Sequence, residues 1–278
     1  MDEIDLEAGP IEYEDTGGPG PVMVLQHGLA MDGSLWRQVV GELRADHRCL
    51  VPTMPLGSHR RPMRADADLS PQGIAKLQAE FLQALDLREV TLVGNDSGIF
   101  QLTAGRYPER IARLVITPCE SFENVPPGLP GRTAELGLKM PGGAFLLAQA
   151  LRWHALRRLP LTFGWMAKRP IPHELLDAWL RSLQTQREIR RDLARFVHAF
   201  DKGDMRAAAD GLRHFDRPAL VVWAPEDRIN PSEYGRRWAE LLPRGHVIEI
   251  ADSYTLVPLD QPAELARVLR QFVRDTSS

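Results

Sequence analysis

Short apolar runs alternate along most of the chain with longer segments whose apolar side chains recur at helical spacing. The strand-like runs are residues 11–15, 22–26, 48–51, 90–93, 112–117, 219–223 and 246–250. The segments with helical spacing are residues 36–44, 71–87, 99–107, 231–242 and 262–273. This alternation predicts an α/β fold, in which a mostly parallel sheet carries helices on both faces. Functional groups are expected at the carboxyl ends of the strands.

Local signals predict how several of these elements begin. The turn residues at 16–21 join the first two strand-like runs and predict an N-terminal β-hairpin. Ser70 followed by Pro71 is typical of a helix start, and Asn230 followed by Pro231 predicts a second one.

The alternation stops between residues 121 and 203. This region opens with a Pro- and Gly-rich stretch and then has helical spacing at 144–158 and 174–200. An all-helical insertion between parallel strands predicts a cap (residues 121–203) over a core (residues 1–120 and 204–278). Its aromatic side chains either form the core of the cap or line a pocket for a hydrophobic small molecule. They are Phe145, Trp153, Phe163, Trp165, Trp179 and Phe196.

Composition excludes several kinds of partner. The 278 residues carry a net charge of −3, which favours no nucleic acid, and no apolar run is long enough to span a membrane. The acidic start and the two strand-associated cysteines, Cys49 and Cys119, favour a reduced protein of the cytoplasm. The sequence has no metal-ligand cluster, phosphate-binding loop or dinucleotide motif, so neither a metal nor a cofactor is predicted. A monomer and a homodimer both remain open.

The strand at 90–93 is followed at once by Gly94-Asn95-Asp96-Ser97-Gly98 and then by a helix. A strand, a tight turn of the form Gly-x-nucleophile-x-Gly and a helix together form a nucleophile elbow. The turn exposes its central side chain at the carboxyl edge of the sheet. Here that side chain is Asp96, so the candidate reactive group is a carboxylate.

With the other segments in order, the chain resembles the α/β-hydrolase superfamily along nearly its whole length. His27-Gly28-Leu29 matches the His-Gly-x segment of that family. The resemblance implies that the backbone N–H groups of Leu29 and Ser97 form an oxyanion hole. Trp223-Ala224-Pro225-Glu226-Asp227 matches the place of the triad acid and assigns that role to Asp227.

An aspartate at the elbow resembles haloalkane dehalogenases and epoxide hydrolases, but the sequence departs from their pattern. The position of the catalytic histidine, counted back from Gln261, holds Thr255. Ser97 stands where those families usually have tryptophan, and no tyrosine lies in the cap. The chain is more similar to a poorly characterised bacterial group with a Gly-Asn-Asp-[Ser/Thr]-Gly elbow and this same threonine.

Three functions are compatible with these residues. Asp96 could act as a general acid or base, or as a nucleophile, on a hydrophobic small molecule without hydrolysis, in a cyclisation, isomerisation, elimination or C–C cleavage. The chain could instead be a hydrolase of the dehalogenase or epoxide-hydrolase kind whose base is relocated to His59, within hydrogen-bond reach of Asp96 directly or through one water. It could also be a catalytically dead protein that binds a ligand. Glu120 and Glu123 are interpreted as pocket-rim or surface charges.

Overall fold

The structure, a computed structural model, describes residues 1–277 and contains one sheet with the strand order β1-β2-β4-β3-β5-β6-β7-β8. Strands β1 and β2 pair antiparallel with their neighbours, and the remaining strands are parallel. The strands are β1 (Asp2–Leu6), β2 (Gly9–Asp15), β3 (Val22–Gln26), β4 (Arg48–Pro52), β5 (Val90–Gly94), β6 (Ile111–Ile116), β7 (Ala219–Trp223) and β8 (Gly245–Glu249). The predicted α/β architecture with a mostly parallel sheet is confirmed.

Helices cover both faces of this sheet. They are α1 (Arg37–Leu43), α2 (Pro71–Ala84), α3 (Ile99–Arg106), α4 (Gly128–Lys139), α5 (Gly143–Ala150), α6 (His154–Arg157), α7 (His173–Thr185), α8 (Arg187–Ala199), α9 (Lys202–Leu212), α10 (Ser232–Leu241), α11 (Val257–Asp260) and α12 (Pro262–Thr276). Every residue of the interior strands β5 and β7 is buried, which explains their mostly apolar sequences. Within the described chain, no helix is long and apolar enough to cross a bilayer.

The predicted N-terminal hairpin is wrong in its pairing. Strand β2 pairs with β1 and β4, and β3 lies between β4 and β5. The true hairpin is β1–β2, whose first strand is the acidic N-terminal segment. That segment is an edge strand with three exposed acidic residues, Asp2, Glu3 and Asp5, so its sequence resembles a polar terminus.

The two predicted helix starts have different outcomes. Ser70 does cap α2, because its hydroxyl accepts a hydrogen bond of 3.1 Å from the Gly73 N–H. Asn230 does not cap α10, which begins at Ser232 after Pro231. The amide of Asn230 is fully buried and donates instead toward Thr255 at 3.3 Å, so the interior polar contact replaces the cap.

Five helices, α4 to α8, lie in the segment between β6 and the last helix before β7. Helix α4 was not predicted, because its Pro- and Gly-rich first turn reads as a loop, although proline is tolerated there. Helix α9 begins at Lys202 and packs closely on α3, where Gly105 and Gly211 meet. The division into a core and a cap at residues 120/121 and 203/204 stays a prediction. Below, "cap" denotes residues 121–203.

Candidate active site

The turn between β5 and α3 places Asp96 at the carboxyl edge of the sheet. Asp96 has a left-handed backbone, with φ of +62°, and its N–H donates to Pro118 O at 2.8 Å. A Cβ atom on Gly28 would lie 2.2 Å from Oδ2 of Asp96, so only glycine leaves room for this carboxyl group. The elbow and the His-Gly-x segment therefore meet, as expected from their places at the ends of the adjacent strands β3 and β5.

Asp96 opens on a cavity between the strand ends and the helices of the cap. The cavity is lined almost entirely by apolar groups, and Asp96 and Glu120 are the only ionisable side chains among its lining residues. The lining comprises Leu29, Ala30, Asp96, Glu120, Pro127, Pro130, Gly131, Thr133, Ala134, Leu138, Ala144, Leu147, Ala148, Leu151, Leu161, Thr162, Phe163, Met166, Leu180, Leu183, Leu193 and Ile229. Of the predicted cap aromatics, Phe163 lines this cavity.

Glu120, interpreted from the sequence as a pocket-rim or surface charge, is part of the cavity lining beside Asp96. Its side chain is buried, and Oε2 accepts a hydrogen bond of 2.8 Å from the Gly98 N–H. Burial raises its pKa from 4.5 to about 7, although the backbone N–H groups of Glu120 and Gly98 oppose the rise. The neighbouring Glu123 is a surface charge paired with Arg237, as expected. The sequence feature that indicates a place for Glu120 in the site is its position just beyond β6, the strand beside the elbow strand.

The surroundings of the Asp96 carboxyl group disfavour its ionised form. Burial raises its pKa well above the usual value, and the negative charges of Glu120 and Asp227 raise it further. A hydrogen bond from the Leu29 N–H lowers the pKa and only partly offsets these effects. The cavity therefore contains two electrostatically coupled carboxyl groups that resist simultaneous ionisation.

Thr255 occupies a polar cluster behind this pair and is bonded to Asp227. Its hydroxyl lies 2.9 Å from both carboxylate oxygens of Asp227, and its carbonyl accepts 2.8 Å from the Asn95 amide. Burial raises the pKa of Asp227 to about 7, while N–H groups of Ile229 and Asn230 and the Thr255 hydroxyl oppose the rise. A hydroxyl group satisfies Asp227 here, but it supplies no base that titrates near neutrality.

A sequence model of the alpha/beta hydrolase family matches residues 22–268. The chain belongs to the alpha/beta hydrolase family. This confirms the resemblance inferred from the elbow and the His-Gly-x segment, and the curated relatives identify an enzyme of the α/β-hydrolase type.

The relatives of this α/β-hydrolase have different activities. The uncharacterized hydrolase YugF of Bacillus subtilis (strain 168) is 25% identical over 269 residues, 95% of this chain and 94% of that protein. The cis-3-alkyl-4-alkyloxetan-2-one decarboxylase of Shewanella oneidensis is 26% identical over 274 residues, 94% of this chain and 84% of that protein. The solved structure of haloalkane dehalogenase AncHLD2 has a TM-score of 0.79 at 16% identity and covers 99% of each chain, a likeness of fold alone.

The two expected oxyanion-hole residues of the α/β-hydrolase differ in position. Leu29 lines the cavity, and its N–H faces the Asp96 carboxyl group. Ser97 is buried in the turn before α3 and is not among the residues that line the cavity. His27, beneath this loop, is fully buried: its Nδ1 bonds the Gly28 carbonyl at 2.8 Å, and Nε2 accepts 2.9 Å from the Met54 N–H. These bonds hold the loop in place, in agreement with a structural role for His27.

His59, the candidate relocated base, lies against Asp192 of helix α8. Among the described residues it makes no direct hydrogen bond to Asp96, and it does not line the cavity. Its Nε2 lies 3.4 Å from Oδ2 of Asp192 in helix α8, and its ring is buried. The Gly57 N–H points to Nδ1 at 3.4 Å, so one tautomer with hydrogen on Nε2 satisfies both contacts.

The loop that carries His59 joins the core to the cap. The Ser58 hydroxyl donates to Trp179 O at 2.8 Å, and the Met63 N–H donates to Asp192 at the same distance. Gly57 has φ of +112° and lies against Leu193 of α8. Of the two expected contacts of His59 with Asp96, the direct hydrogen bond is absent among the described residues, and the contact through one water stays a prediction. Among residues 1–277, no group of three or more acidic, His or Cys side chains is arranged to hold a metal.

Proposed function

We propose that this α/β-hydrolase acts on a neutral, hydrophobic small molecule in the cavity between core and cap, by proton transfer to and from the carboxyl groups of Asp96 and Glu120. The observation that carries the proposal is the pairing of these two groups as the only ionisable side chains in an apolar lining. Asp227 and Thr255 lie behind them and are joined to each other.

The lining favours an uncharged substrate. An anionic substrate would meet two carboxyl groups and no cation, since none of the described residues that line the cavity is Lys, Arg or His. A substrate of alkyl or aryl groups would replace water along the cap helices and gain the usual free energy of apolar burial. The polar reacting atoms would then lie beside Asp96.

The carboxyl pair is suited to carry one proton between its members. Because desolvation raises both pKa values, and the charge of Glu120 raises that of Asp96 further, one group can remain protonated while the other is ionised. The ionised group can remove a proton from carbon, and the protonated group can donate one to a developing oxyanion. Such a cycle needs no activated water, which agrees with Thr255 in place of a catalytic histidine.

The elimination reaction of 5-nitrobenzisoxazole tests this proposal, because the probe is neutral, aromatic and needs only a base. A carboxylate removes the C3 proton, the electron pair forms the nitrile, and the N–O bond breaks to release the phenolate. We expect the wild-type protein to accelerate this reaction, with a rate that rises with pH as the carboxyl pair ionises. At a pH high enough to ionise Asp96, Asp96→Asn should lower the rate about a hundredfold or more, the usual scale for a lost general base.

Matched variants give the controls for that experiment. Glu120→Gln should displace the pH profile of the remaining Asp96 to lower pH, because it removes a neighbouring negative charge. Glu123→Gln removes an exposed acid from the same loop and should leave both rate and profile unchanged. A rate that is equal in the wild type and Asp96→Asn would overturn the proposal.

A second candidate, in which Asp96 is a nucleophile, is favoured by the relative that decarboxylates cis-3-alkyl-4-alkyloxetan-2-ones and matches 94% of this chain. Attack of Asp96 on C4 of such a lactone would break the C4–O bond and leave an alkyl ester and a carboxylate. Loss of CO₂ would then break the bond from C3, form the alkene and expel Asp96. This cycle also needs no histidine and no water.

The two candidates are distinguished by their products. A cis-3,4-dialkyloxetan-2-one incubated with the protein should give one alkene and one CO₂ per lactone, measured by gas chromatography, if Asp96 attacks carbon. An intact lactone, together with rapid elimination of 5-nitrobenzisoxazole, would leave only the acid–base function.

A further inference from the structure

Large apolar side chains are exposed mainly on one part of the cap. Of the 11 large hydrophobic residues that are exposed in the described chain, eight lie between residues 129 and 161. They are Leu129, Leu136, Met140, Phe145, Leu146, Trp153, Leu159 and Leu161. Trp153 is 74% exposed and Leu146 is 64% exposed, which is unusual for such side chains in contact with water only. We call the surface formed by residues 129–161 the apolar cap face.

The charge of this face is opposite to that of the rest of the chain. Residues 129–161 contain five Lys and Arg residues and one Glu, a net charge of +4. The whole chain carries −3, so the remainder carries −7. Arg157 is buried beside Asp177, and the other basic side chains are at least partly in solvent. They are Arg132, Lys139, Arg152 and Arg158.

Helix α5 of the apolar cap face has its inner side on the cavity and its outer side in solvent. In α5, Leu147 and Ala148 face the cavity, whereas Phe145 and Leu146 are exposed. Helix α5 is thus apolar on both sides, although one side is in solvent. Leu161 both lines the cavity and is 45% exposed, so the outer surface and the cavity are in contact there.

We propose that the apolar cap face binds the surface of an anionic lipid bilayer. Exposed Trp, Phe and Leu side chains with Lys and Arg beside them are the combination that seats a helix in the headgroup region. The positive charge is complementary to anionic headgroups, and each nearby Lys or Arg adds to the attraction. A second copy of this chain fits less well, because the face carries +3 once the buried Arg157 is left out, and a twofold contact would bring two such faces together.

Vesicle sedimentation tests this proposal with the full chain. We expect the protein to sediment with vesicles of phosphatidylglycerol and phosphatidylcholine, less with phosphatidylcholine alone, and less at high salt. The double variant Leu146→Glu/Trp153→Glu should raise the lipid concentration needed for half-binding about tenfold or more. Val247→Glu/Ile248→Glu changes two exposed apolar residues of β8 and is the matched control, expected to bind like the wild type. Circular dichroism verifies that both variants fold.

Tryptophan fluorescence gives an independent measurement. Four of the six tryptophans are fully buried, and Trp153 is the most exposed large hydrophobic residue. Anionic vesicles should therefore protect the emission from acrylamide, and Trp153→Phe should remove most of that protection. Asp96→Asn should still bind lipid, so a failure of the proposed chemistry is distinguishable from a failure of this proposal.

Three results would overturn the proposal. The wild type could fail to sediment with anionic vesicles, or the cap variant and the β8 variant could bind equally well. The third is a lipid-free dimer that Leu146→Glu/Trp153→Glu dissociates in sedimentation velocity, which would assign the face to a second copy of the chain.

Discussion

Asp96 and Asp192 are both buried between core and cap, but their electrostatic environments are opposite. Asp192 is fully buried, and burial alone would raise its pKa. Hydrogen bonds from His59, the Met63 N–H and Arg191 outweigh that effect and hold the pKa below its usual value. Asp96 receives one backbone N–H, and two further carboxyl groups act on it, so its pKa is raised. Burial alone therefore does not identify a reactive carboxyl group.

The difference follows from what each carboxylate contacts. Asp192 has donors on its own helix and on the loop that carries His59, and together they join the cap to the core. Asp96 faces a cavity lined almost entirely by apolar groups. A protein can hold a destabilised group such as Asp96 where function requires it, and the stable remainder of the fold compensates. Loss of the Asp192 carboxylate should therefore lower mainly the stability of the fold, whereas loss of the Asp96 carboxylate should lower mainly the activity.

The largest expected effect is on stability at Asp192. Asp192→Ala leaves His59, the Met63 N–H and part of Arg191 without their acceptor, and removal of one partner from such a buried cluster costs about 3–5 kcal/mol in the free energy of unfolding. Asp210→Ala, at an exposed aspartate, should cost less than about 0.5 kcal/mol. Urea titration followed by circular dichroism measures both. Equal stability of the two variants would show that the Asp192 cluster does not hold the fold.

The next largest effect is an increase in the free energy of unfolding, expected at high pH when Glu120 is replaced by Gln. The pKa of Glu120 is about 7 in the folded protein and 4.5 without burial, so the folded state binds more protons between these values. The contribution of Glu120 to stability is therefore fully present below pH 4.5 and is lost as the pH rises through 7. At pH 8 Glu120→Gln should be more stable than the wild type by about 3 kcal/mol, from 1.36 kcal/mol per pKa unit.

Urea titrations at several pH values measure this difference. It should be large at pH 8 and small near pH 4, where the glutamate is protonated in both states. Glu123→Gln, at an exposed salt bridge, should show no such dependence on pH. A Glu120→Gln variant that is less stable than the wild type at pH 8 would contradict the raised pKa and with it the contrast to Asp192.

The sequence predicted the parts of the site that depend on local geometry. A strand followed by a turn with glycines at fixed positions determines where Asp96 points, and Gly28 follows from its place at the end of the adjacent strand. Glu120 was underrated because the burial of a side chain beyond a strand depends on the helices above it. The partner of His59 could not be predicted, since Asp192 is 133 positions away and the contact depends on how α8 packs.

A smaller effect is expected at Thr255. Thr255→Val keeps the shape of the side chain but removes the hydroxyl that bonds Asp227 and the Asn230 amide. Backbone N–H groups of Ile229 and Asn230 still bond Asp227, so we expect a loss of about 1–2 kcal/mol in the free energy of unfolding. Thermal unfolding at pH 8 measures it, with Thr133→Val as a partly exposed control. A stabilised Thr255→Val variant would mean that the cluster carries no net hydrogen-bond energy.

The smallest expected effect is that of His59 on turnover. It distinguishes a His59 that acts as a base from a His59 that only anchors its loop to Asp192 of α8. His59→Gln retains an N–H donor for Asp192 but cannot titrate, so it preserves the anchor and removes any proton-accepting function. Because His59 does not line the cavity and makes no direct bond to Asp96, we expect elimination of 5-nitrobenzisoxazole to remain within about threefold of the wild-type rate. A general base would instead cost about a hundredfold or more. Such a loss, in a variant whose urea midpoint is unchanged, would show that His59 acts as a base on the site of Asp96 through an intervening water. The Asp192 cluster and the Asp96 site would then take part in the same reaction.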